Sequence, residues 1–291
     1  MTPGFAKPRH ELPWLPYPEK DRVIINAHNF PSSSWTPADI ATAIWLDASD
    51  ASTLYDATTG GSLVAADGAV ARWEDKSGNA RHFTQSTSGR RPMRKTAVQN
   101  ALDIVRFDGT DDSMRLLTGL SGMIQNVSGA TVAAVLSHRT TPTSSRVCFY
   151  VSTGTASSSG RVSLATAVTV GNRQTLFGRR LDAQVSASIL SGSSNIGTAF
   201  VSRIGVAKYS TSDADLYRAG VGDGSSTSWT TDGNTSNTAP MAVSIGALVT
   251  DTDLVSSAAD IDLCELIVTN SAEGVETLAS IEAYFAAKWG L

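Results

Sequence analysis

The chain has 291 residues, room for one large β-domain or two ordinary ones, and all-β sandwiches reach this length as single units. Charged residues make up 17% of it and the formal net charge is -4, which excludes the basic face that nucleic-acid binding requires. The sequence holds no apolar run of about eighteen residues and residues 1–10 lack the apolar core of a secretory signal, so membrane insertion is excluded and folding in a cytosol is expected.

Seven of the ten prolines fall within the first 37 positions, and so much proline cannot donate a regular ladder of hydrogen bonds. Residues 1–36 are therefore expected to be an extended arm. It carries Phe5, Trp14, Leu15, Tyr17, Ile24 and Phe30, more apolar bulk than a solvated linker shows, so it needs something to bury against. Wrapping its own domain and docking on another protein both answer that need.

From residue 37 to 291 short apolar runs recur between Gly, Ser, Asn and Asp clusters. The predicted strands are 43–48, 69–73, 102–107, 113–117, 131–137, 147–151, 161–168, 174–177, 200–208, 216–221, 241–248 and 261–268. Spacing of this kind predicts one sandwich, with the Ser/Thr/Gly-rich stretches 152–160, 190–197 and 222–238 as loops inside it. Asp108-Gly109 after Phe107 reads as a hairpin turn, and Asp75-Lys-Ser-Gly-Asn79 as a strand exit with Gly78 or Asn79 left-handed. Cys148 and Cys264 lie in apolar runs, where a thiol behaves as a small buried hydrophobe. Val275, Leu278, Ile281, Phe285 and Trp289 make one helical stripe, and Asn270 with Glu273 offers a capping-box start.

Several of these segments together resemble a known family. Trp45-Leu-Asp-Ala-Ser-Asp50, Val70-Ala-Arg-Trp-Glu-Asp-Lys-Ser-Gly-Asn-Ala-Arg-His-Phe-Thr-Gln85, Arg91-Pro92 and Arg106-Phe-Asp-Gly-Thr-Asp-Asp112 resemble the N-terminal half of a concanavalin A-like (laminin-G-like) jelly-roll domain. That type is common in phage virion proteins and in large bacterial surface proteins, and residues 281–291 are similar to the helix that ends such domains. The resemblance covers residues 43–117 and 258–291. It implies an all-β fold: an antiparallel two-sheet jelly-roll sandwich with one C-terminal helix, here preceded by the extended arm.

Asp260, Asp262 and Glu265 resemble the strand carboxylates of jelly-roll glucanases, which would make them nucleophile, assistant and acid/base. The short Asp at the first position and a strand that leads straight into the helix both count against hydrolysis. Asp108, Asp111 and Asp112 either form a turn or supply hard oxygens to a structural calcium; no other cofactor is expected. Arg81, Arg90, Arg91, Arg94 and Lys95 form a basic cluster that is either solvated or docks on an acidic surface.

The expected function is a non-enzymatic structural component of a tailed-phage virion, made in the host cytoplasm, a decoration, collar or fibre protein. Its arm would bind capsid, collar or tail proteins, and virion symmetry favours a homo-oligomer, a trimer being one such assembly. The alternative is a carbohydrate-binding host-recognition module in which Trp229, set among small polar residues, stacks on host surface polysaccharide. Glycoside hydrolysis ranks below both.

Overall fold

The computed structural model describes residues 35–154, 160–166, 171–184, 188–250 and 255–291. In chain order its strands begin with β1 (Thr42–Asp47), β2 (Leu54–Tyr55), β3 (Arg72–Trp73), β4 (Phe83–Thr84), β5 (Met93–Gln99), β6 (Leu102–Asp108) and β7 (Met114–Leu116). The middle forms β8 (Gly129–His138), β9 (Arg146–Ser152), β10 (Gly160–Thr166), β11 (Arg173–Gly178), β12 (Ser188–Asn195), β13 (Val201–Lys208), β14 (Asp213–Arg218) and β15 (Val221–Ser226). Then come β16 (Ala242–Ile245), β17 (Leu248–Val249), β18 (Val255–Ser256), β19 (Asp260–Thr269) and a helix, α1 (Val275–Trp289).

The strands form two large antiparallel sheets. One runs β15-β14-β13-β8-β19-β6-β5, with β1 also on β19, and the other runs β12-β11-β10-β9-β16-β7-β4-β3-β2. This is the predicted jelly-roll sandwich with its C-terminal helix. Between the sheets lies the main core, where Ile261, Leu263, Leu266 and Val268 of β19 meet Phe149, Val151 and Leu164 of the second sheet. Each such side chain contributes about 1.5–3 kcal/mol when fully buried.

Strand β19 organises the first sheet because both its faces and both its edges are used. One edge pairs with β8 along its length, while the other is shared, β6 taking Asp260–Leu263 and β1 taking Glu265–Thr269. The register against β8 slips between Leu263 and Glu265, where β6 gives way to β1. On the outer face Cys264 and Ile267 join Ile104, Ala133, Val135, Ile204 and Val206 under α1. Leu278, Ile281, Phe285 and Trp289 of the predicted stripe are buried there, whereas Val275 is 51% exposed. Trp35 packs on Tyr284 with ring centroids 5.8 Å apart. The helix ends at left-handed Gly290, and Gln99 and Asn100 donate to the carbonyls of Trp289 and Lys288 at 2.6 and 2.9 Å.

The structure corrects six local expectations; two of the stretches expected to be loops, 190–197 and 222–238, carry most of β12 and of β15, because their small polar residues sit on strands near a sheet edge. Asp108-Gly109 does not close a hairpin, because β6 belongs to the first sheet and β7 to the second; the turn carries the chain across the sandwich. The 216–221 strand runs through a turn at Ala219 and Gly220, both at positive φ, that joins β14 to β15. The 241–248 strand breaks at Gly246 (φ 79°), where an added Cβ would lie 2.1 Å from Phe107 Cδ1. Asn270 does not cap α1, whose N-cap is Gly274; its amide instead holds the loop before β8, donating to Gly122 O and accepting from Ile124 N.

Candidate functional site

Most residues singled out from the sequence serve the fold. The arm residues Phe5, Trp14, Leu15, Tyr17, Ile24 and Phe30 lie outside the described residues. Trp229 is corrected: it is 3% exposed, packed on Tyr209 at 5.8 Å, and is a core residue with no free face for a sugar. A turn rich in small residues hid it, because small neighbours also let an indole sink inward.

The glucanase-like carboxylates are likewise engaged. Arg106 grips Asp262 with two hydrogen bonds of 2.7 and 2.8 Å, and Asp260 pairs with Arg139. Glu265 is fully buried under α1 and accepts from Trp45 Nε1 (2.7 Å), Tyr284 Oη (2.8 Å), Lys288 Nζ (2.9 Å) and Trp289 Nε1 (2.8 Å). Burial and the neighbouring Asp47 push its carboxyl up, with Lys288 opposing. Lys288 also sits 2.7 Å from Asp47, so one ammonium joins the helix to β1 and β19 together.

The motif Asp75–Arg81 is a clamp on β1. Asp75 accepts the Trp45 and Ser77 N–H groups at 2.9 and 3.0 Å, Asn79 donates to Thr42 O and buried Arg81 to Ala43 O, both at 2.9 Å. Gly78 takes the left-handed conformation there. The basic cluster is spent in the same way: Arg94 pairs with Asp103 at 2.7 Å, Lys95 with Asp67 at 2.7 Å, and Arg90 lies 3.7 Å from Asp111. Both cysteines are free and buried, and burial pushes the Cys148 thiol up to about 11.

Asp108, Asp111 and Asp112 hold carboxylate oxygens within 4.8 Å of one another. Asp108 Oδ1 accepts the N–H groups of Thr110, Asp111 and Asp112 at 2.8–3.3 Å, and Asp112 Oδ2 accepts that of Asp108 at 3.0 Å, so turn formation already uses oxygens of Asp108 and Asp112. Burial, with the Asp108 and Asp111 charges, raises Asp112 to about 7. The unfolded carboxyl titrates near ~3.9. Between those values the folded chain holds a proton that the unfolded chain releases, so stability falls as pH rises through this window. Denaturation of the wild type and of Asp112→Asn at pH 5 and pH 8 should show the wild type losing about 1–2 kcal/mol relative to the variant, allowing for solvent screening. Equal losses in both would remove this account.

A different place on the molecule has the geometry of a ligand site. Among the described residues the apolar cluster under α1 spans β6, β8, β13 and β19 and takes from β14 only Tyr217, so these residues leave the outer face of β14 and β15 open beside the start of the helix. Alternation along β14 sends Ala214 and Leu216 into the core and sets Asp213, Asp215 and Tyr217 in a row on that face. Lys208 of β13 reaches diagonally to Asp215 at 2.5 Å. Gly222 of β15 stands opposite Tyr217 and puts no side chain beside its ring.

Two adjoining depressions of about 400 and 530 Å³ follow this row and share Lys208, Asp215, Tyr217 and Val275. One continues past Ser128, Ser210 and Thr211 to residues 271–274 before α1; the other continues over Ser225, Ser226 and Thr227. The N-cap Gly274 offers α1 no side-chain cap, so first-turn N–H groups stand at the rim. Burial and Asp215 raise the Tyr217 phenol, which therefore stays a neutral hydroxyl. The groove thus combines carboxylate acceptors, an ammonium, backbone donors and hydroxyls beside the largely buried Tyr217. Sequence reasoning missed it because the predicted strand began at Leu216; the period-2 run Asp213-Ala-Asp-Leu-Tyr217 was the available signal.

Scans against family models and against curated proteins return no match. Solved structures do match. The likeness is one of fold. The ligand-binding domain of botulinum neurotoxin serotype D, in complex with N-acetylneuraminic acid, superposes with a TM-score of 0.54 at 9% identity over 87% of this chain and 52% of that one. The receptor-binding domain of the C/D mosaic serotype gives 0.54 at 8% identity over 84% and 51%. A Ruminococcus gnavus sialidase CBM40 bound to α2,3-sialyllactose gives 0.49 at 12% identity over 64% and 98%. The chain spans about half the length of the two toxin domains.

Proposed function

We propose that this chain is a non-catalytic carbohydrate-binding module that takes a glycan in the groove over β14 and β15. The observation that carries the reading is the outward row Asp213, Asp215 and Tyr217 with Lys208, set among hydroxyls where α1 leaves the sheet uncovered. Sugar hydroxyls both donate and accept, so they match a wall that alternates carboxylate, ammonium and hydroxyl groups. The fold supports the reading, since a toxin domain of like architecture is described as a ligand-binding domain in complex with a sugar acid. Nothing in it depends on a virion setting or on docking by residues 1–36.

A glycan array probed with the full chain tests this. The wild type should bind a defined subset of glycans, and Lys208→Ala with Asp213→Ala should weaken that binding at least about tenfold, as expected for the loss of two charge-assisted hydrogen bonds. An array with no bound glycan, or binding untouched by both substitutions, would sink the proposal.

A further inference from the structure

We infer that the groove selects uncharged glycans and disfavours sialylated or uronic-acid ones; this deepens the carbohydrate reading and rests on it. The reason is the sign of its lining. Asp213, Asp215 and Glu273 line the two depressions, against Lys208 alone among basic side chains. That ammonium is already held by Asp215 at 2.5 Å, so it offers an incoming anion little unspent charge. Asp213 accepts from Thr211 Oγ1 at 2.9 Å, whereas Asp223, on the inward side of β15, accepts the Ser193 and Ser194 N–H groups of β12 at 3.2 and 2.9 Å and adds no carboxylate to the groove.

The uncapped start of α1 pulls the other way, with the equivalent of roughly half a positive charge. Glu276 in the first turn and Glu273 just before it answer that charge from the helix itself. The balance remains acidic, and a sugar carboxylate seated here would face several carboxylates within a Debye length of about 8–10 Å. A neutral sugar meets no such opposition. Its hydroxyls donate to Asp213, Asp215 and Glu273 and accept from Lys208 and the helix N–H groups. The groove would therefore differ in ligand charge from the toxin domain of like fold that was solved with N-acetylneuraminic acid.

The test uses matched oligosaccharides that differ only in a terminal sialic acid, titrated into the full chain at low and high salt. The neutral member should bind at least about tenfold tighter at low salt, and the gap should narrow with added salt as the field is screened. Asp213→Asn combined with Asp215→Asn should narrow it too; the salt series on the wild type reads the same effect without any substitution. Equal or tighter binding of the sialylated member overturns the charge selection and leaves carbohydrate binding standing. Binding of neither member, together with an empty array, overturns both.

Discussion

Glu265→Ala should lower the stability of the fold by about 3–5 kcal/mol, the range for removing one partner of a buried, hydrogen-bonded ion pair. The substitution leaves two indole N–H groups, a phenol and the Lys288 ammonium facing a gap beneath α1. Each stranded donor adds a desolvation cost of its own. Glu265→Gln should recover little, because its amide nitrogen would confront donors from Lys288 or from the indoles. The measurement is a urea midpoint compared with wild type. A loss below about 1 kcal/mol would show that the helix does not depend on this carboxylate for its seat.

Arg203→Met should act in the opposite direction. Arg203 lies on β13 between Ser202, which donates to Glu282 of α1, and Ile204, which packs under the helix, so alternation aims it between the sheets. It is 1% exposed, and its Nε, Nη1 and Nη2 have no hydrogen-bond partner among the described residues. Burial lowers its guanidinium to about 10, with Arg218 adding repulsion and Cys148 and Asp223 opposing it. An unpartnered charge in the interior carries a desolvation cost that nearby groups do not repay. Methionine fills similar space without that cost, so the midpoint should rise by the equivalent of about 1–4 kcal/mol. A fall on substitution would mean that the guanidinium makes an interaction beyond its described neighbours.

The parts of the fold that were readable in the sequence are those buried on two sides. Runs such as 43–48 and 261–268 lie within one or two residues of β1 and β19, because a strand covered on both faces must be apolar throughout. The stripe through Leu278, Ile281, Phe285 and Trp289 was equally plain. Edge strands were not: β5 and β12 close opposite sheets, and Met93–Gln99 and Ser188–Asn195 carry the polar residues that protect an edge and so read as loop.

The candidate site was less legible than the fold, for a related reason. Asp213, Asp215 and Tyr217 become a row only once β14 is known to start at Asp213, and nothing local says that α1 will stop short of it. Trp229 shows the reverse error. Its serine and threonine neighbours suggested a solvated loop, yet Tyr209 lies against it across the turn that precedes β14. Asp260, Asp262 and Glu265 had the spacing of a catalytic strand, but Arg106, Arg139 and the helix take up their charges. Partners distant in sequence decided each case.

The most direct test of the account is to map a bound neutral oligosaccharide by amide chemical-shift perturbation on the full chain. Binding in the groove predicts shifts concentrated at Lys208–Tyr217, Gly222–Thr227 and Ser271–Val275, with the turn at Asp108–Asp112 unmoved. Shifts confined to another face of the sandwich, with the groove silent while the glycan is bound, would contradict it.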